Sequence, residues 1–176
     1  VAARPASCRR QIKIFEKWLA CKEYITYKNA QINKIMNITT LAGVWTYRSY
    51  VNNPELVGQD ANKALALIFG EGTITLTPRT DDLFQGVLDM GGGYFMDLYG
   101  ERIHAGGVNP EILIITGTGR EGTSTANWVY QYKGYVVPTW AEGVNQVPAI
   151  VGTVIRTIPH NGGSAGVTAS FVIVKH

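Results

Sequence analysis

All 20 glycines of this 176-residue chain follow Met36. They cluster in "FGEGT", "DMGGGY", "GGVNPE", "TGTGREG" and "HNGGSAG", with "TPRTDD" as a further turn signal. Between these clusters stand short runs rich in Val, Ile, Thr, Tyr and Trp. Gly, Asn, Asp and Pro supply the backbone conformations that tight turns need, and β-branched and aromatic residues suit a pleated, half-buried surface. The pattern predicts strands at 43–50, 62–69, 72–78, 82–90, 94–103, 111–117, 124–136, 148–158 and 165–174. Eight or nine strands on hairpin-length connections leave hardly any room for a helix. A sheet of sequential hairpins keeps two exposed edges unless it closes. The expected fold is therefore all-β, an eight- to nine-stranded antiparallel up-and-down β-barrel, with a two-layer sandwich as the alternative.

One cluster raises a competing idea. Gly117-x-Gly119-x-x-Gly122 has the spacing of the dinucleotide-binding fingerprint. That motif works only where the glycines end a strand and open a helix, whose N-terminus holds the pyrophosphate. Here the following residues place Trp128, Tyr130 and Tyr132 at a period of two, which is strand periodicity. Glu121 would also set a negative charge beside the phosphates. The stretch reads as strand, turn and return strand, and no cofactor is expected.

Residues 1–35 follow different rules. From 11 to 35 there is neither Gly nor Pro, and Ile14, Trp18, Cys21, Ile25, Ile32 and Ile35 recur at helical steps opposite a lysine-rich face. This predicts an N-terminal amphipathic α-helix. It would dock on the outer wall, serve as a lid or meet a second subunit. Met36 would also make a natural chain start, in which case residues 1–35 are an added segment. The domain reading is accordingly a basic helical extension over 1–35 and a barrel over 36–176.

Charge divides at the same point. Residues 1–35 carry eight Lys/Arg against two Glu, and residues 36–176 carry eight Lys/Arg against eleven Asp/Glu. The barrel domain thus has no general attraction for nucleic acid. No apolar run approaches the length of a membrane span. Cys8 and Cys21 would lie too far apart along a helix to form a disulfide, and they lack nearby His partners for zinc. Two free thiols fit a reducing, cytoplasmic setting.

Alternation assigns the inner wall. Trp45 and Tyr47 share one side of the first strand, Trp128, Tyr130 and Tyr132 one side of the long strand, and Phe171 one side of the last. Interleaved with small residues, these six would line a hydrophobic cavity and bind a ligand there. Tyr hydroxyls and indole N–H groups are buried most cheaply where something polar meets them. The alternative is a solid aromatic core. "ALALIF" at 64–69, "ILII" at 112–115 and "AIVGTVI" at 149–155 are apolar on both faces. Part of the outer wall should therefore be covered, by the helix or by a homodimer partner.

"LAGVW" followed by "TYRSY" resembles the opening of calycin barrels, the lipocalin and avidin group, whose first strand carries Gly-x-Trp; here the match is Gly43-x-Trp45. In lipocalins a basic residue late in the barrel packs over that Trp, and Arg156 or Lys175 would take this role. The resemblance implies binding of one small, largely hydrophobic molecule. Some barrels of similar build instead fold a flexible substrate toward ring closure.

Signals for covalent or metal chemistry are weak. There is no Gly-x-Ser-x-Gly, and His104, His160 and His176 lack metal-ligand spacing, so no metal site is expected. His160, between Pro159 and Asn-Gly-Gly, reads as a solvent-exposed turn residue. His104, Glu101 and Arg102 read as a surface ion-pair cluster. Asp97 alternates with Met96 and Leu98 and should point outward. Asn37-Ile38-Thr39 matches the glycosylation sequon. The leading functional reading is a small-molecule binder. A cyclase or isomerase of natural-product type, acting by confinement without a cofactor, is second. A structural barrel with a filled core is third.

Overall fold

The computed structural model describes residues 41–53, 55, 57–104, 110–139 and 142–176. The expected helix over 11–35, Cys8, Cys21 and the sequon at 37–39 lie outside the described residues.

Eight strands form the domain: β1 (Gly43–Val51), β2 (Ile68–Pro78), β3 (Leu83–Asp89), β4 (Phe95–Ile103), β5 (Ile112–Gly119), β6 (Val129–Val136), β7 (Ala149–Arg156) and β8 (Thr168–Lys175). Each pairs antiparallel with the next, and β8 pairs back onto β1 from Trp45↔Lys175 to Val51↔Ala169, closing the barrel. Alternate residues point inward on every strand, as in β6, where Tyr130, Tyr132, Gly134 and Val136 are buried and Gln131, Lys133 and Tyr135 are exposed. The eight-stranded up-and-down architecture is consistent with a calycin-like fold.

Three expectations need correction. The segment 62–69 is not a separate strand. Ala61–Leu67 is a 3-10 helix whose N-cap, Asp60, accepts a hydrogen bond from the Asn62 backbone N–H at 3.0 Å. The doubly apolar "ALAL" lacks a period of two, its Ala and Leu favour helix, and Leu65 is 76% exposed. The glycines of "FGEGT" then fall inside β2 rather than in a turn. A Cβ at Gly72 would overlap the Asp89 carbonyl of β3, so this glycine admits close strand approach. Likewise 124–128 belongs to the β5–β6 loop, and β6 begins at Val129.

The base of the barrel, where β1 begins and β8 ends, is closed by Trp45. Its indole N–H donates to the Leu41 carbonyl at 3.0 Å, and Lys175 Nζ stands 5.4 Å from the ring centroid. Of the two basic residues considered for this position, Lys175 occupies it. Gly43 adopts φ +124°, and a Cβ there would press on Lys175 Cε at 3.3 Å. The Gly-x-Trp pair therefore has a steric rationale in this chain.

Above Trp45 the lumen holds Phe84, Leu98, Leu113, Ile150 and Ile173, each 2% exposed or less. Arg102 reaches the lumen edge, only 6% exposed, and pairs with Glu111 at 2.8 Å. His104 joins this cluster and bonds Asp82 at 2.8 Å. His104 and Arg102 thus do share an ion-pair cluster, but its acids are Glu111 and Asp82 rather than the expected Glu101, and its arginine is buried.

Outside, Ile103, Ile112, Tyr135 and Val151 follow one another across β4–β7 by strand register. Ile103, Tyr135 and Val151 are 38–42% exposed, so the apolar band expected on the outer wall is present.

Phe84 lies directly against Gly100, where a Cβ would overlap its ring. Gly100→Ala should therefore cost about 1–3 kcal/mol by overpacking. Urea unfolding should show a lower midpoint at unchanged m-value, partly restored in the Gly100→Ala/Phe84→Leu double variant.

Candidate functional site at the upper end

The end opposite Trp45 has a different chemistry. Four connections meet there: the one carrying the 3-10 helix, the β3–β4 turn, the β5–β6 loop and the β7–β8 hairpin. Inside it, Tyr47 of β1 and Tyr132 of β6 meet edge to face at 6.2 Å, and both touch Phe171 of β8. Tyr130 and Phe69 meet edge to face at 5.8 Å. Each such pair contributes about 0.5–1.5 kcal/mol beyond area burial.

Trp128 and His160 cap this cluster. They stack at 4.1 Å with 15° between planes, and each also meets Tyr130 edge to face. The β5–β6 loop positions Trp128 through Asn127 at φ 69° and through backbone bonds from Trp128 N–H to the Thr125 carbonyl and from Gly119 N–H to the Trp128 carbonyl. The Thr125 hydroxyl donates to the Phe95 carbonyl, tying the loop to β4. His160 opens a two-residue turn, with Asn161 at φ 48°, Gly162 at φ 73° and paired backbone bonds between His160 and Gly163. Those angles are the ones an Asn-Gly hairpin turn supplies.

Arg156, at the top of β7, completes the group. Its Nε donates to the Tyr130 hydroxyl at 3.3 Å and its Nη1 to the Ser164 carbonyl at 3.4 Å. The guanidinium also lies 5.5 Å from the Phe69 centroid and 6.0 Å from that of Tyr130. A Cβ at Gly163 would overlap Nη1, so glycine at this position makes room for the guanidinium.

The lumen is otherwise filled. The partly open space at this end is about 30 Å³, lined by Tyr47, Phe69, Met96, Trp128, Tyr130 and Tyr132 among others. That is room for a water molecule or two. Among the described residues this space is far smaller than the cavity expected from the sequence, because aromatic rings from facing strands interlock across it. A shallow groove of about 460 Å³ on the outer wall, between Arg48, Glu71 and Asp89, is open and polar.

Of the six residues assigned to ligand binding, Tyr47, Trp128, Tyr130 and Tyr132 surround the partly open space. Phe171 supports it from below, and Trp45 sits at the opposite, closed end. Sequence reasoning missed Phe69, Arg156 and the position of His160. Both ring nitrogens of His160 are shielded from solvent without a hydrogen-bond partner, which corrects the reading of a solvent-exposed turn residue. Its Asn-Gly turn was visible in the sequence. What the imidazole meets was not. Asp97 points outward as expected and is chelated by Arg120.

Burial pushes the Tyr47 hydroxyl up to about 12, against hydrogen bonds to Ser49 and Tyr132 that pull it down. Burial also pushes Tyr132 well above its ordinary value, assisted by Tyr47 and Tyr130 nearby. His160 is lowered from 6.5, first by desolvation and then by the Arg156 charge, which favours the neutral imidazole. The site at neutral pH therefore presents protonated phenols, a neutral imidazole and one guanidinium around apolar ring faces.

No family model, curated protein or solved structure matches the chain. Among the described residues, no helix is long and apolar enough to cross a membrane, and no three His, Cys, Asp or Glu side chains gather as a metal site.

The tyrosines set the alkaline limit of stability. Below pH 10 both are neutral in the folded and unfolded states alike. As pH rises from 10 toward 12, the unfolded chain ionises while the folded chain holds its protons. Unfolding free energy should fall by about 1.4 kcal/mol per pH unit for each buried tyrosine. Urea titrations at pH 9, 10 and 11 measure this slope, and Tyr47→Phe/Tyr132→Phe should flatten it.

Proposed function

We propose that the barrel binds one small, largely hydrophobic molecule at its upper, aromatic end. The observation that carries this reading is His160, whose two ring nitrogens are buried without partners over a tyrosine-lined space. An unsatisfied buried polar atom costs about 1–3 kcal/mol. A plug serving stability alone is better made of apolar side chains, such as the Phe84, Leu98, Leu113, Ile150 and Ile173 that fill the lumen below. Phenols, indole and imidazole converge at one end, where a ligand would find ring faces for its apolar body and hydrogen-bonding groups for its polar atoms.

Binding requires the mouth to open. Trp128 and His160 stand on two different connections, whereas Phe69 lies in β2, so the first two can swing outward without breaking the strand ladder. The calycin resemblance supports the same reading, since such barrels mostly hold one small hydrophobic molecule.

A second reading, catalysis by confinement, draws on one specific observation. The neutral imidazole of His160 lies against Tyr130 beside protonated Tyr47 and Tyr132, so a proton acceptor and proton donors would face one enclosed substrate. A cyclase or isomerase would then need no cofactor. Turnover of a linear precursor would favour it over simple binding.

Tryptophan fluorescence against a panel of polyenes, fatty acids and biotin-like compounds tests the binding reading. Ligands should quench Trp128, and Trp128→Ala and Tyr130→Ala should weaken binding by more than tenfold, about 1.4 kcal/mol, with a smaller effect on the melting temperature. If no compound perturbs the fluorescence, or both variants simply unfold, the cluster is packing and the reading falls.

A further inference from the structure

We propose that the ligand of the upper end carries an anionic head group, a carboxylate, which is received by Arg156 together with His160 and Tyr130. This rests on the reading that the upper end is a binding site, and it names the chemical class bound there.

Arg156 is half-buried at the rim of an aromatic cluster, and among the described residues it has no carboxylate partner. Its two hydrogen bonds go to neutral acceptors, the Tyr130 hydroxyl and the Ser164 carbonyl. Elsewhere the domain pairs Arg102 with Glu111, Arg120 with Asp97 and Arg48 with Glu71. The acids available to this domain outnumber its bases, so the lack of an acid beside Arg156 is not a shortage of acids. A guanidinium against ring faces keeps cation–π attraction but leaves its fork of N–H donors poorly used.

Donors converge on the same place. The Tyr130 hydroxyl accepts from Arg156 Nε, which leaves its own proton to donate. A neutral imidazole offers one N–H, and neither ring nitrogen of His160 is engaged. Guanidinium, phenol and imidazole thus present three donor types around one rim, and the described residues bring no carboxylate to any of them. Charge-assisted bonds from such a set to a carboxylate are short and about twice as strong as neutral ones.

The backbone is also fitted to the arginine. Gly163 faces Nη1 without space for a Cβ, and the Asn161-Gly162 turn holds His160 above the ring of Tyr130. A carboxylate seated here would leave the apolar part of its molecule directed at Tyr47, Tyr132 and Phe69, below and beside the rim. The ligand class is therefore a small unsaturated or aromatic carboxylic acid.

Direct fluorescence titration of cis-parinaric acid, its methyl ester and its alcohol tests this on the full chain. The acid should bind at least about tenfold tighter than the ester or the alcohol, as a charge-assisted pair implies. Arg156→Met keeps an unbranched stem against the rings and removes the cation. It should abolish the preference for the acid over the ester. If the acid and the ester bind the wild-type protein equally, the anionic assignment is overturned and binding at the mouth stands. If none of the three binds, the mouth reading and the assignment fall together. If the preference survives in Arg156→Met, the assignment to Arg156 is overturned. Should that variant fail to melt cooperatively, Arg156→Lys replaces it. That change keeps the charge but removes the guanidinium fork, so a weakened preference for the acid in Arg156→Lys would support the assignment, and an undiminished preference would overturn it.

Discussion

Closure of the hydrogen-bond ladder is the constraint from which the rest of the domain follows. Once β8 pairs with β1, no strand of the sheet is left with an open edge, and successive residues must point alternately into one shared lumen or out of it. Backbone groups are satisfied around the whole ring, so side chains alone decide what the interior becomes. Eight strands enclose a lumen that side chains can fill. This chain fills it with aliphatic residues, Phe84 and Trp45 toward the base, and mostly with rings bearing polar atoms at the top.

That division has physical consequences. The base gains from close packing, as in the contact between Phe84 and Gly100, and from the Lys175 cation over Trp45. Its burial is nearly complete. The upper end keeps three phenols, an indole, an imidazole and a guanidinium within a few ångströms of one another. Such groups stabilise a fold less than aliphatic packing does, and two of the buried nitrogens have no bond to compensate their desolvation. The strand scaffold below holds this less economical arrangement in place. Strands supply Tyr47, Tyr130 and Tyr132, while Trp128 and His160 come from connecting loops, so the same constellation combines strand walls with a loop-borne cap.

Glycine shows how one residue type serves several ends in a small barrel. Gly117, Gly119 and Gly122 have the spacing of a nucleotide fingerprint, yet each has a separate local cause. Gly117 makes room for Leu98 and Tyr132, Gly119 for the Thr125 carbonyl, and Gly122 adopts φ 77° in the turn. No helix follows them. Spacing alone could not distinguish these causes, because a missing Cβ looks the same whether a phosphate, a ring or a backbone carbonyl takes its place.

Seven of the expected strand segments correspond to β1 and β3–β8, and the 72–78 segment lies within β2, because a period of two is local and survives reading one residue at a time. Inward placement of Trp45, Tyr47, Tyr130, Tyr132 and Phe171 was legible for the same reason, as was the outward aim of Asp97. The "ALAL" run was misread because apolar residues on both faces erase the periodicity that separates strand from helix. Only the tertiary structure decided which basic residue covers Trp45, that the lumen is nearly full, and that His160 and Arg156 meet Trp128, Tyr130 and Phe69. These depend on strand register and on how far each ring reaches across the barrel. Register is fixed by pairings between residues as distant as Trp45 and Lys175, which no local pattern encodes.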